Sequence, residues 1–336
     1  MSLRTPQAWY SRAGSGFRAA RLILVPLSWI WSAVTARRLR TSSPVDPGAP
    51  VVCVGNLTLG GSGKTPIVRA LAELLGGPSG GVHILMRGHG GRERGPLRVD
   101  PRRHSALQVG DEALMLSADA PVWIARDRLA GARAAVAAGA RVILMDDGHQ
   151  NGALAKSLSL VVVDGETRDQ EWPFGDGSVF PAGPMREPFE AGLARADAVI
   201  ILLPDGALRA DPELLAILQA KPVLIAHLRP LTPPPPGPQI GFAGVAKPWK
   251  VERALKDAGC DLVDFAPLAD HAAIPETTLR MLAGRARALG AGLVTTEKDA
   301  ARLSDAWRAK ITVWRVRAQF DDEASAHALI ARCLGR

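Results

Sequence analysis

Between residues 51 and 228, short apolar runs alternate with Ala- and Leu-rich runs, and this alternation narrows the possible folds more than any other feature. VVCVG, GVHILMR, APVWIAR, RVILMDD, LSLVVVD, DAVIILLP and KPVLIAHL read as strands, and IVRALAELL, DEALMLSADA and DRLAGARAAVAAGA as helices. Strands apolar along their whole length are buried on both faces. The pattern therefore predicts an α/β fold with a mostly parallel sheet covered by helices on both sides. Ligands of such sheets bind beyond the carboxyl ends of the strands.

The first strand-to-helix connection, NLTLGGSGKTP, has the tail of a phosphate-binding loop. Gly60, Gly61 and Gly63 permit a tight turn whose N–H groups can surround a phosphate. Lys64 would reach the β- and γ-phosphates of ATP, and the Thr65 hydroxyl would ligate Mg²⁺. Pro66 is tolerated near a helix start, where its missing N–H costs least. Thr58 stands where the usual pattern, G-x-x-x-x-G-K-[ST], has its first glycine, and its hydroxyl could itself bond the loop or a phosphate. Candidate nucleotide-binding residues are Thr58, Leu59, Gly60, Gly61, Ser62, Gly63, Lys64 and Thr65. A chance strand–turn–helix carrying Gly-Lys-Thr is the plainer alternative, and the flanking context favours a nucleotide site.

At 336 residues, 47% hydrophobic and 22% charged, the chain is globular and long enough for two domains. Its net charge of +8 favours an anionic partner. Nucleic acid is disfavoured: there is a single Tyr, no recognisable nucleic-acid motif, and the excess Arg is scattered among Ala-rich helices. Cys53, Cys260 and Cys333 have no metal-site spacing and read as core thiols in a reducing compartment.

The segment from Leu22 to Ala36 is apolar but shorter than the ~20 residues that span a bilayer. Arg12, Arg18 and Arg21 precede it, and Arg37, Arg38 and Arg40 follow. A secretory signal and an ordinary buried helix are both open readings. A monotopic helix on anionic lipid fits best, with Trp29 and Trp31 at the interface and a bend at Pro26. A linker, TSSPVDPGAP, follows, and the proline run at 231–239 marks a second boundary. The expected organisation is an N-terminal membrane-associated segment (1–45), a P-loop core (46–232) and a smaller α/β lobe (233–336) across a hinge, with a cleft between the lobes. No solenoid-type repeat is present.

Asp146 and Asp147 end an apolar strand, where a carboxylate can hold Mg²⁺. Asp111 and Glu112 precede a helix, and capping alone would account for them. Asp270 adjoins His271, a pair that could orient a base or be structural. Thr296, Glu297, Lys298 and Asp299 lie at another strand end, where a solvated cap is the plain reading. RGHGG could admit an anion to the backbone or be a flexible turn.

Taken in order, VGNLTLGGSGKTP, RGHGG, VGDE, DDGHQ, DH and TTEKD resemble the motifs of the tetraacyldisaccharide 4′-kinase family of lipid A biosynthesis, over essentially the whole chain. The family's loop also has Thr at the position of Thr58. The resemblance implies transfer of the ATP γ-phosphate to the 4′-hydroxyl of a tetraacyldisaccharide 1-phosphate, giving lipid IVA, at the cytoplasmic face of the inner membrane. It implies phosphate and metal roles for Lys64 and Thr65, and a Mg²⁺ site organised by Asp146, Asp147 and Gln150 with Glu112 close by. It also implies that Asp111 is the candidate base, paired with His271 and with Asp270 beside it. His149, His89 and Ile274 depart from the Phe, Tyr and Phe usual in the family, which touches packing and lipid contacts more than phosphate chemistry. Three rival readings stand beside it. One is a membrane-associated nucleotide switch acting on a protein partner, another a soluble kinase of a small metabolite, and the third a non-enzymatic scaffold with a decayed loop, disfavoured because Lys64, Thr65 and Asp146 are all present.

Overall fold

The computed structural model describes residues 6–12 and 18–335, and the side chains among them apart from those of 18–22 and 333. Arg18, Arg21 and Cys333, named above, thus fall outside the described side chains. Thirteen strands form among the described residues. They are β1 (Val51–Gly55), β2 (Val82–Met86), β3 (Leu97–Arg98), β4 (Val122–Ile124), β5 (Val142–Asp146), β6 (Leu158–Asp164), β7 (Ala198–Pro204), β8 (Val223–Pro230), β9 (Gln239–Ala243), β10 (Leu262–Pro267), β11 (Gly292–Thr296), β12 (Thr312–Trp314) and β13 (Val316–Phe320). Nine make one sheet in the order β13-β8-β7-β6-β1-β5-β2-β4-β3, and four make a second, β10-β9-β11-β12. In the large sheet only the edges are antiparallel: β3 against β4 and β13 against β8. The mostly parallel α/β fold expected from the alternation is the one formed, and all seven apolar runs are strands.

β1, β2 and β5 are buried at every residue. Their period-2 alternation supplies both faces of the sheet. Val52, Val54 and Leu144 pack with Ile67, Val68 and Leu71 of the helix Lys64–Leu74. Val51, Cys53, Ile143 and Met145 pack with Ala132 and Ala135 of the helix Arg128–Ala137 on the other face. Each fully buried aliphatic side chain contributes about 1.5–3 kcal/mol, so this central trio fixes where β1 and β5 end. Those ends carry the phosphate loop and Asp146. Cys53 and Cys260 are buried free thiols.

The last segment does not stay with the second sheet. Only Arg315 separates β12 from β13, and β13 pairs with β8 of the large sheet. Ala318 and Phe320 of β13, and Ala326 and Ile330 of the helix Glu323–Cys333, join the same core as the helix Lys64–Leu74. Residues 316–333 therefore belong with the large sheet, not with the lobe expected over 233–336. The physical reason is that β13 completes the edge of β8 while its alternate side chains complete that core. The chain crosses between the sheets twice, through the proline run and at Arg315.

The N-terminal helix, Arg18–Thr41, runs for 24 residues through Pro26. Among the described residues no helix is long and apolar enough to cross a membrane. Buried Ser28 donates its hydroxyl to the Val179 carbonyl at 2.8 Å and accepts from the Ala182 N–H at 3.2 Å. Trp31 Nε1 donates to the Arg186 carbonyl at 2.9 Å. Ile23, Leu27, Ile30 and Val34, spaced i, i+4, i+7, i+11, remain exposed as one stripe.

Candidate active site

A cleft of about 2230 Å³ opens between the two sheets. Gly60, Lys64, Asp146 and Glu112 line it from one side, and Asp270, His271 and Lys298 from the other. Most of the sequence-predicted residues, from Leu59 to His271, thus line one space, whereas Thr58 and Asp111 are buried and do not line it.

The phosphate loop is held open by its own backbone. Gly60 and Gly63 have φ of 84° and 79°, the left-handed region that glycine tolerates. A Cβ on Gly63 would also run into Leu202. The Thr58 carbonyl accepts from Asn56 Nδ2 at 2.8 Å and Arg186 Nε at 2.9 Å, and Leu59 N–H donates to the Pro184 carbonyl at 2.7 Å. The Tyr10 hydroxyl donates to the Leu59 carbonyl. With its mouth pinned on both sides, the loop leaves the buried Ser62 hydroxyl with no hydrogen-bond partner. Glycines at positive φ, an unpartnered hydroxyl and Lys64 at the helix start make a cradle that fits a polyphosphate.

At the end of β5 two adjacent carboxylates differ in kind. Asp146 is 3% exposed, and its Oδ1 has no partner. Burial, and then repulsion from Glu112, outweigh the attraction of Lys64 and push its pKa up to about 7. Asp147, at φ 52°, reaches Arg186 Nη1 at 2.7 Å and Nη2 at 3.2 Å, with Lys64 Nζ at 3.5 Å. Burial opposes its ionisation, but these cations hold it well below the usual carboxylate range. Gln150 Nε2 donates to the Asn56 carbonyl at 3.0 Å and to Glu187 at 2.9 Å, while its Oε1 accepts from Arg186 at 3.3 Å. Among the described residues no three His, Cys, Asp or Glu side chains gather as a metal cage. Mg²⁺ does not need one, since it keeps several waters and takes one or two carboxylates plus substrate phosphates. The unpartnered Asp146 oxygen, lining the same cleft as Glu112 and Thr65, fits that donor set.

Across the cleft, His271 Nδ1 lies 3.0 Å from Asp111 Oδ1. His271 faces the cleft, and Asp111, 3% exposed, stands behind it. Burial would raise the Asp111 pKa, but the His271 hydrogen bond and the charges of Lys298 and Arg302 bring it below the ordinary value. Burial would lower that of His271, but the Asp111 hydrogen bond raises it. Lys298 Nζ is 3.0 Å from Asp270 Oδ1, 3.2 Å from Glu112 Oε1 and 3.2 Å from His271 Nε2. Residue by residue the sequence had offered a strand-end cap here, with TTEKD counted only as one of the family-like motifs. Thr296 does cap the short helix Glu297–Ala300, and the cap aims Lys298 into the cleft.

Arg186 had no signal in the sequence, since it lies in an irregular Pro-flanked stretch far from any motif. His149 is 1% exposed, with Nε2 2.8 Å from the Gly192 carbonyl and Nδ1 3.2 Å from Ser159 Oγ. It is a packing residue. His89 sets its ring edge-on to that of His271, with centroids 4.7 Å apart.

Residues 20–334 match the family model described as Tetraacyldisaccharide-1-P 4′-kinase. A protein named tetraacyldisaccharide 4′-kinase from Phenylobacterium zucineum is 61% identical over 98% of this chain and 99% of its own length. Its namesake from Caulobacter vibrioides is 58% identical over 98% of each. The crystal structure of the "apo" form of LpxK from Aquifex aeolicus in complex with ATP superposes with a TM-score of 0.71, covering 94% of this chain and 99% of that one at 24% identity, which is a likeness of fold. The family match and these relatives show that the chain belongs to the tetraacyldisaccharide-1-phosphate 4′-kinase family.

Proposed function

We propose that the protein transfers the γ-phosphate of ATP to the 4′-hydroxyl of a tetraacyldisaccharide 1-phosphate, giving the 1,4′-bisphosphate lipid IVA and ADP. The observation that carries this reading is the Asp111–His271 pair across the cleft from the phosphate loop. A glycine loop alone serves switches and kinases alike, whereas a paired carboxylate and imidazole opposite it serve an acceptor hydroxyl. The loop N–H groups and Lys64 hold the β- and γ-phosphates. Asp146 and the Thr65 hydroxyl, with Glu112 near, would hold Mg²⁺, which when bound neutralises phosphate charge. Asp147 and Gln150, expected there too, contact Arg186, and their oxygens keep acceptor sites free for Mg²⁺ or its waters.

In the chemical step the acceptor O–H bond breaks and its proton passes to the Asp111–His271 pair. The acceptor oxygen bonds to the γ-phosphorus as the bridge to the β-phosphate breaks and ADP leaves. Phosphoryl transfer needs positioning and charge stabilisation more than covalent catalysis, and these residues supply both. The exposed apolar stripe of the N-terminal helix, with Arg37, Arg38 and Arg40 beyond it, supports docking on anionic lipid at the cytoplasmic face of the inner membrane, where an acylated substrate resides. A nucleotide switch would give the dyad no task.

The test is incubation of the protein with γ-labelled ATP, Mg²⁺ and tetraacyldisaccharide 1-phosphate in detergent micelles. Label on the lipid is expected. Label released only as inorganic phosphate, with or without lipid, would overturn the reading.

A further inference from the structure

We infer that Lys298 is a positioning residue for this reaction, fixing the tautomer and tilt of His271 while tying the dyad across the cleft to Glu112. The inference rests on the reading of Asp111 and His271 as a working pair.

The argument starts from what an ammonium can do. It has three N–H donors and no acceptor. Lys298 Nζ has three acceptors in range: Asp270 Oδ1 at 3.0 Å, Glu112 Oε1 at 3.2 Å and His271 Nε2 at 3.2 Å. Because Lys298 can only donate, Nε2 must offer its lone pair. The imidazole proton is then left on Nδ1, which faces Asp111 Oδ1 at 3.0 Å. In its neutral form the imidazole is thereby set to donate from Nδ1 to the Asp111 carboxylate, with Asp270 Oδ1 3.6 Å from Nε2.

Lys298 is itself held in place. Thr296 caps its helix. Buried Asp299 accepts from the Gly244 N–H at 2.9 Å and from Arg302. Glu297 pairs with Arg69, in the helix that follows the phosphate loop, at 2.8 Å, and Arg69 also holds Asp119 at 2.7 Å. The ammonium therefore sits on a backbone tied to the nucleotide side of the cleft. His271 needs such an anchor, because its φ of 55° is a conformation a non-glycine residue keeps only when its surroundings hold it.

The experiment labels the histidines of the full-length protein with ¹⁵N, identifies the His271 signals by their loss in His271→Gln, and compares the wild type with Lys298→Met. The wild type is expected to show the Nδ1–H tautomer. The methionine variant is expected to show a mixture or the Nε2–H form. Its kcat should fall by about 10²-fold, the scale of a misplaced catalytic group, with KM for ATP and lipid changed less than about threefold. Lys298→Arg is also donor-only, so it should keep the tautomer and recover at least about tenfold of the lost turnover, and it carries the test if the methionine variant does not fold. An Nε2–H wild type, an unchanged tautomer in the methionine variant, or a turnover loss matched by lost ATP binding would overturn the inference. A wild type that shows the tautomer and its lysine dependence but no lipid phosphorylation would uphold Lys298 and sink the kinase reading.

Discussion

His271 Nδ1 and Asp111 Oδ1 lie 3.0 Å apart although 160 residues separate them in the chain. Asp111 opens the helix Asp111–Leu116 beside the large sheet, and His271 follows the last residue of β10 in the small one by only a few positions. Neither sheet alone makes the pair.

If the pair acts as one unit, Asp111→Asn and His271→Ala each lower turnover by about 10²-fold or more, the range for loss of a general base. The double variant should then be little worse than either single one. Steady-state kinetics of the three variants decide it, and full additivity would separate the residues into independent roles.

Gly63→Ala should lose both ATP binding and stability. The left-handed backbone alone costs a side chain about 1–2 kcal/mol, and the new Cβ meets Leu202. Adding Leu202→Ala should relieve the clash and restore part of the melting temperature, but not nucleotide affinity. Thermal melts and ATP titration report the two effects separately.

Asp146 is a buried carboxylate with an unpartnered oxygen, set against Glu112. Asp146→Asn should therefore melt higher than wild type in metal-free buffer at pH 8, by roughly 2–4 °C per kcal/mol of repulsion removed. With Mg²⁺ and ATP present that advantage should vanish, and turnover should fall at least about 10²-fold. A variant whose Mg²⁺ dependence matches wild type would remove Asp146 from the metal site.

His149 is buried and neutral, its pKa pushed down from 6.5 to about 4, chiefly by burial. Between those values the unfolded chain binds the extra proton, so stability rises with pH across the window and is lost on acidification. The difference amounts to roughly 3 kcal/mol at the acid end. His149→Gln, which can still donate to the Gly192 carbonyl, should flatten that slope. Melting curves from pH 4.5 to 7 would show it, and parallel curves would refute it.

Replacing Leu27 and Ile30 together by Asp removes two apolar contacts from the exposed stripe, each worth about 1.5–3 kcal/mol when buried. Sedimentation with anionic vesicles should show at least a tenfold loss of binding, with ATP affinity unchanged. Undiminished sedimentation would mean that this face does not meet the membrane.

The sequence by itself determined the seven central parallel strands of the large sheet and one side of the site. The runs that became β1, β2 and β5 are apolar at nearly every position, so only burial on both faces suits them. Gly60 and Gly63 can take a backbone that other residues resist, which made the loop legible before its contacts were known. Spacing could not show that Lys298 turns into the cleft, that Arg186 clasps Asp147, or that Asp111 meets His271. Nor could it divide ITVWRVRAQF, which reads as one run but gives β12 to one sheet and β13 to the other. The reason is physical: local backbone preference and burial are written in neighbouring residues, whereas pairing between distant side chains is fixed only when both sheets pack and bring their strand ends to a common cleft.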